Sequence, residues 1–102
     1  KVYVWGYNYD GQCGVGTVDN IKKGPVILDA LEEEEVEEVD CGYHHSYCRT
    51  KEGRHYLWGK NGHNECMTFD GQNYVTKPWC INEIVEEKYE GLEIKKVSVG
   101  AQ

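Results

Sequence analysis

The chain has 102 residues, a formal net charge of −7 and 12% aromatic residues. The excess of acid argues against a nucleic-acid-binding surface in this segment, since such surfaces need clustered Lys and Arg facing the phosphates. No apolar run reaches the roughly 18 residues of a membrane-spanning helix, so we expect neither nucleic acid nor a membrane as a partner.

The chain begins with a predicted strand, a loop and a second strand. Apolar and aromatic residues alternate over Val2–Gly6 without a helical period, which is typical of a β-strand. Residues 8–20 are predicted to form a loop that needs positive φ at several points, for which glycine carries no Cβ penalty, at Gly11, Gly14 and Gly16. Pro25 is expected to open a short outer strand, because proline is tolerated at a strand start.

An acidic connection leads to the central strands. Residues 29–38 include six glutamates, and a helix would set these like charges at i,i+3 and i,i+4, which is unfavourable. We therefore predict a solvated connection, with attraction of a basic partner as the alternative. Strands follow at Val36–Cys41, His45–Thr50 and His55–Gly59, the last two joined by a tight hairpin with Gly53 in the left-handed conformation.

The segment Asn82–Gly91 is ambiguous from its pattern. Ile84, Val85 and Tyr89 fit one side of a helical turn that Gly91 would cap. The alternative, which we prefer at this point, is a non-helical connection.

An internal repeat organises the whole chain. The stretches WGYNYDGQCG and WGKNGHNECM align Trp5 with Trp58, Asn8 with Asn61 and Cys13 with Cys66, each pair 53 residues apart. A second block aligns residues 36–42 with residues 94–100 at a spacing of 58. Self-similarity with a period near 50 residues is typical of repeat architectures, in which each unit buries its apolar face against a neighbour. Together with the strand patterns, this period predicts propeller blades.

The repeat also carries a resemblance to a known family. The run VDCGYHHSYCRTKEGRHYLWGKNGHNECM and the earlier YVWGYNYDGQCGVG are similar to the regulator of chromosome condensation repeat, and the resemblance covers nearly the whole chain. The matching positions are Gly42, His45, Ser46, Thr50, Gly53, Tyr56, Trp58, Gly59 and Asn61, with Gly11, Gln12, Gly14 and Gly16 in the first copy. The second copy departs from the pattern at Asn64, Glu65 and Met67, where the family has Gly, Gln and Gly, so the pattern does not predict its turn.

This resemblance implies an all-β fold, a partial β-propeller. One complete four-stranded antiparallel blade is expected at about 36–85, flanked by strands of the adjacent blades. Residues 1–102 would be a fragment of a single propeller domain, with repeat copies at about 1–53 and 54–102. Propellers need 4 to 8 blades, and the chain starts without Met and stops within a third copy. We therefore interpret it as a piece of a longer protein.

We find no pattern that indicates an enzyme or a cofactor site. The glycines around Gln12 lack phosphate-loop spacing, and the four histidines lack the paired spacing of zinc ligands. His45 and Cys48 would point to opposite faces of a strand, and His45 is expected to link strands by hydrogen bonds. We therefore predict no catalytic, cofactor-binding or metal-binding residues, and we expect Trp5 and Trp58 to be buried between blades.

Function is accordingly predicted from the resemblance. It implies a non-enzymatic protein-interaction or scaffold module, with guanine-nucleotide exchange on a small Ran-like GTPase as the alternative. Buried cysteines at the equivalent positions 13 and 66 favour a reducing compartment, hence an intracellular, cytoplasmic or nuclear location. The candidate partner-binding residues are those that differ between the copies, Tyr7, Tyr9 and Asp10 against Lys60 and His63, together with Glu32 and Glu33 of the acidic connection.

Overall fold

The computed structural model describes residues 2–6, 8, 10–18, 21–41, 44–64 and 66–88. Strand β1 (Tyr3–Gly6) pairs antiparallel with β2 (Ile21–Ile27), and a second sheet has the order β3-β4-β5-β6. Its antiparallel strands are β3 (Val36–Cys41), β4 (His45–Thr50), β5 (His55–Lys60) and β6 (Tyr74–Cys80). This four-stranded sheet confirms the predicted blade, whereas the expected third copy at residues 94–100 lies outside the described part.

Both prolines lie inside strands, so the prediction that Pro25 opens a strand is wrong. β2 begins four residues earlier, at Ile21, and Pro78 likewise lies within β6. Each proline-containing strand is terminal in its sheet among the described residues, and its pairing is irregular between Val4 and Gly6 or between Leu57 and Gly59. A missing N–H is tolerated at an edge or a bulge, which explains both positions.

The blade ends earlier than expected and is followed by a helix. β6 stops at Cys80, and helix α1 occupies Asn82–Lys88, so the preferred non-helical connection was wrong. The Asn82 side chain fixes the start of α1, because its Oδ1 accepts the His55 N–H at 2.8 Å and its Nδ2 donates to the Gly53 carbonyl at 2.8 Å. This contact holds the helix against the β4–β5 hairpin, and a strand pattern cannot anticipate it.

The part of the chain before β3 packs on one face of the four-stranded sheet. Trp58 and Cys48 lie in the core together with Leu28 and Leu31, which follow β2. Leu31 belongs to a short 3₁₀ helix, Asp29–Leu31, within the acidic connection. Burying such side chains contributes about 1.5–3 kcal/mol each, so this part of the chain and the blade stabilise one another.

The residues predicted to be buried at repeat positions are largely confirmed. Trp58 is 2% exposed, and Cys13 and Cys66 are 4% and 0% exposed. The side chain of Trp5 lies outside the described part. Within that part, no helix is long and apolar enough to cross a membrane.

Candidate functional site

Each Trp-Gly strand is followed by a loop that a buried asparagine organises. Asn8 Oδ1 accepts the Cys13 N–H at 2.9 Å, and Asn61 Oδ1 accepts the Cys66 N–H at 2.8 Å. The two asparagines are 0% and 3% exposed, and burial without these bonds would cost about 1–3 kcal/mol per group. One fixed anchor therefore holds two loops whose outer residues differ.

The second loop keeps the backbone path of the first despite its different residues. Gly11, Gly14 and Gly16 have φ of 77°, 74° and 92°, and the equivalent Asn64, Met67 and Phe69 have φ of 61°, 60° and 55°. The turn that the family pattern left undetermined is thus the same left-handed turn, held in each copy by three-residue backbone bonds such as Asn64 N–H to Asn61 O at 3.0 Å. A non-glycine residue in this region costs on the order of 1–3 kcal/mol.

The first loop is held against the four-stranded blade through the Gln12 carbonyl. That oxygen accepts hydrogen bonds from Ser46 Oγ and Trp58 Nε1, both at 2.8 Å. Gly14 lies so close that a Cβ there would come within 2.8 Å of Trp58 Nε1. The backbone carbonyl at position 12 and the indole of Trp58 therefore join the first loop to the four-stranded blade.

The candidate residues fall at two opposite ends of the blade. One end, here called the loop end, holds the loop after β5 and the turn before β4, and includes Lys60, His63 and Asp10; Lys60 N–H donates to the His44 carbonyl at 2.7 Å. The other, the hairpin end, holds the β4–β5 hairpin and the acidic connection, including Glu32 and Glu33; Lys51 N–H donates to the Glu35 carbonyl at 2.8 Å. Six-residue strands separate the ends by about 20 Å, so these residues form two surfaces.

At the loop end, the candidates differ in what they contact. Asp10 faces His44, with Oδ2 at 2.5 Å from Nδ1, so it also links the first loop to the four-stranded blade. His63 is exposed and Lys60 is half-buried. Tyr7 and Tyr9 lie outside the described residues.

At the hairpin end, one glutamate of the acidic run is turned inward. Glu34 forms a bidentate pair with Arg54, Oε1 to Nε at 2.7 Å and Oε2 to Nη2 at 2.9 Å, and Oε1 also accepts the Tyr56 hydroxyl at 3.0 Å. The Arg54 hydrogen bonds hold the pKa of Glu34 below its ordinary value. Burial, and then the Glu34 bond, raises the pKa of Tyr56.

The solvated-connection prediction therefore holds for only part of the run. Glu32, Glu33 and Glu35 are exposed, whereas the side chain of Glu34 is 14% exposed. The charge pattern of the sequence does not distinguish Glu34 from the other three glutamates, because it contains no information about Arg54 on the next hairpin. Glu32 and Glu33 remain the members of the run that are open to a partner.

The buried titratable groups lie in surroundings that suit a structural role. Burial raises the pKa of the Cys48 thiol to about 12, which suppresses the thiolate that nucleophilic chemistry requires. Tyr47 and His55 are buried together, with the hydroxyl oxygen 2.7 Å from Nδ1. Among the described residues, no three His, Cys, Asp or Glu side chains are grouped so as to hold a metal ion. His45 is buried, and its linking hydrogen bonds stay a prediction.

Sequence reasoning missed two exposed aromatic residues at the loop end. Phe69 and Tyr74 are 43% and 47% exposed, and Tyr74 pairs across the sheet with Lys60. The available signal was the replacement of Gly16 in the first copy by Phe69 in the second.

Comparison with known proteins agrees with this repeat structure. Residues 1–49 match the family described as "Regulator of chromosome condensation (RCC1) repeat". The chain is 32% identical over 65 residues to the probable E3 ubiquitin-protein ligase HERC6 of Homo sapiens, covering 64% of this chain and 6% of that protein. It is 29% identical over 102 residues to the protein RCC2 homolog of Danio rerio, covering 100% of this chain and 19% of that protein.

A third relative is an exchange factor by name. The chain is 36% identical over 62 residues to the Ras guanine nucleotide exchange factor C of Dictyostelium discoideum, covering 60% of this chain and 4% of that protein. The chain thus spans 19% or less of the length of each of these three relatives. With the repeated Trp-Gly strands, the asparagine-anchored loops and the four-stranded antiparallel sheet, these matches show that residues 1–49 contain a regulator of chromosome condensation repeat and that the whole chain is similar to the RCC2 homolog.

Proposed function

We propose that this chain is a non-enzymatic protein-interaction module within a larger repeat protein. The observation that supports this most is the division of each repeat into a fixed framework and variable loop residues. Asn8 and Asn61 make equivalent buried bonds, while the neighbouring Asp10 is replaced by His63. A framework that holds constant while its outer residues change is suited to presenting different contacts to protein partners.

The framework also presents its two ends with different charge. The hairpin end carries a set of exposed carboxylates, Glu32, Glu33, Glu35, Glu52, Glu83, Glu86 and Glu87. The candidate residues of the loop end are Lys60, His63 and Asp10. A partner bound at one end would therefore contact charged groups different from those at the other end. Charge-reversing substitutions can distinguish the two surfaces.

The test is a capture experiment with the full-length protein and two variants. Glu32→Lys with Glu33→Lys alters the hairpin end, and Lys60→Glu alters the loop end. Because the ends lie about 20 Å apart, each variant is the control for the other. We expect one variant to reduce capture of the wild-type partners at least fivefold, with melting temperatures within a few degrees of wild type. Equal capture by wild type and both variants would contradict the proposal.

Guanine-nucleotide exchange is the second candidate, and the similarity to a Ras guanine nucleotide exchange factor favours it. The assay is release of fluorescent GDP from a purified Ran-like GTPase and a Ras-like GTPase in the presence of the full-length protein. Acceleration well above the spontaneous rate would replace the scaffold proposal with this one. Unchanged GDP release from both GTPases would contradict guanine-nucleotide exchange as the function.

The buried free cysteines support an intracellular site of action. Cys13, Cys48 and Cys66 are buried and unbridged, as suits a reducing compartment such as the cytoplasm or nucleus. Localisation of a tagged full-length protein by microscopy tests this directly. Secretion of the tagged protein would contradict it.

A further inference from the structure

A groove lies between the two repeats, on the side where β2 ends and β6 passes. It has a volume of about 470 Å³, within the range of roughly 300–1,000 Å³ that is usual for ligand pockets. Its apolar part consists of Val15, Ile27, Leu28 and Ala30, and its charged part of Lys77 and Asp29. Both walls belong to this chain, since the first repeat supplies one and the β6 strand of the second supplies the other.

Lys77 gives the groove an uncompensated positive charge. Arg49, Lys51 and Arg54 each form an ion pair with glutamate, whereas Lys77 forms none among the described residues, although the chain has a net charge of −7. The side chain of Lys77 is exposed, and its stem lies against the first repeat, because a Cβ on Gly16 would come within 2.9 Å of Lys77 Cε. Such a lysine covers apolar surface with its stem while its ammonium group stays available in water.

Asp29 opposes Lys77 in charge without neutralising it. Both residues line the groove, yet no ion pair joins them among the described residues. An acidic group entering the groove would be attracted by Lys77 and repelled by Asp29. Asp29 is therefore expected to weaken the binding of an acidic ligand and to set its direction along the groove.

We propose that this groove binds an extended peptide segment of a partner protein, with an apolar side chain against the half-buried Val15 and Ile27 and a neighbouring acidic residue paired with Lys77. The charge of Lys77 selects the acid, because an ammonium–carboxylate hydrogen bond is stronger than a neutral one. The apolar wall selects an aliphatic or aromatic neighbour. This inference rests on the proposed interaction function and adds the chemistry of one partner.

The probe is a set of nine-residue synthetic peptides, each with one Leu, Ile or Phe placed one to three residues from a single Glu. Matched peptides carry Gln or Lys in place of that Glu. Binding to the full-length protein is measured by fluorescence polarisation. We expect Glu peptides to bind at least fivefold more tightly than their Gln partners, and the Lys peptides to bind least.

Three variants locate the binding. Lys77→Glu should weaken the Glu peptides at least tenfold, Asp29→Asn should tighten them two- to fivefold, and Ala30→Trp should block the groove sterically. Lys51→Glu is the control, because it makes the same charge change on the hairpin end, and it should leave binding unchanged. Lys77→Gln replaces Lys77→Glu if the latter melts more than a few degrees below wild type, with a smaller loss expected.

The outcomes separate this inference from the proposed function. No binding of any peptide at millimolar concentration would overturn the inference, as would binding that Lys77→Glu and Ala30→Trp leave unchanged. If, in either case, one of the charge-reversal variants still reduces capture of partners, the interaction function stands and its surface lies at that end of the blade. If both experiments fail, the interaction function fails as well.

Discussion

The contact between repeats predicts a cooperative loss of stability when the two donors to Gln12 are removed together. Trp58→Phe keeps an aromatic ring in the buried position but removes the N–H that donates to the Gln12 carbonyl at 2.8 Å. A typical hydrogen bond contributes about 0.5–1.5 kcal/mol net, and the smaller ring also leaves a gap, so we expect a loss of about 2 kcal/mol. Ser46→Ala removes the other donor, also at 2.8 Å, and should cost about 1 kcal/mol.

The double variant should cost more than the sum of the single changes. Each single variant leaves the Gln12 carbonyl with the remaining one of these two donors, whereas the double variant removes both from a partly buried oxygen. The desolvation cost of such a group is about 1–3 kcal/mol, so we expect a total loss near 4–5 kcal/mol. By comparison, Trp58→Ala alone should cost about 3–5 kcal/mol, as for other buried aromatic residues.

The assay is urea unfolding of the full-length protein, followed by tryptophan fluorescence and circular dichroism. The four forms of the double-mutant cycle give the interaction free energy between positions 46 and 58. An interaction free energy near zero would show that the shared carbonyl does not couple these two positions. A double variant that loses less stability than the sum of the two single variants would show the same.

Three further predictions concern single positions. Gly59→Ala should destabilise by about 3 kcal/mol or more, since Gly59 has φ of 111° and a Cβ there would clash with the His44 carbonyl oxygen. The control Gly62→Ala, which has open space around it, should change stability by less than about 0.5 kcal/mol. Similar losses from both variants in urea unfolding would contradict this. Because Arg54 lowers the pKa of Glu34 in the folded state, the stability from this pair is present above the ordinary Glu pKa and lost as pH falls through the lowered value. The stability of Glu34→Gln should therefore differ from that of wild type most at neutral pH and least at acid pH, below the lowered pKa. A difference constant with pH would count against the pair. Finally, Cys48, with a pKa of about 12 and no exposure, should be alkylated by iodoacetamide at pH 8 far more slowly than the half-buried Cys80, as peptide mass spectrometry can measure; equal rates would contradict the buried position of β4.

The strands of the blade could be predicted because their signals are local. β3 and β4 begin and end where alternation and turn residues place them, and Gly53 has the left-handed φ of 84° that the hairpin requires. The repeated Asn and Cys positions likewise proved to be one loop plan used twice, because their bonds join residues only five apart.

The features that sequence reasoning missed depend on contacts distant in the chain. Helix α1 is fixed by Asn82 bonding to the hairpin 27 and 29 residues earlier, and Glu34 is drawn inward by an arginine 20 residues later. The left-handed turn at Met67 and Phe69 was also beyond the pattern, because these residue types disfavour positive φ and only the surrounding framework imposes it. The candidate residues lie at two ends of the blade because of the direction in which the strands run. They were chosen because they differ between the copies, and that criterion contains no information about strand direction.

The central claim is that the two Trp-Gly strands, β1 and β5, occupy equivalent places in adjacent blades of one propeller, each joining its own blade to the preceding one. An experimental structure of the full-length protein tests this most directly, at the side chain of Trp5. We expect Trp5 to superpose on Trp58, which is 2% exposed, and its Nε1 to donate to a backbone carbonyl of the loop that precedes its own blade. A Trp5 side chain in solvent, with strands in place on both sides of it, would contradict the equivalence of the copies.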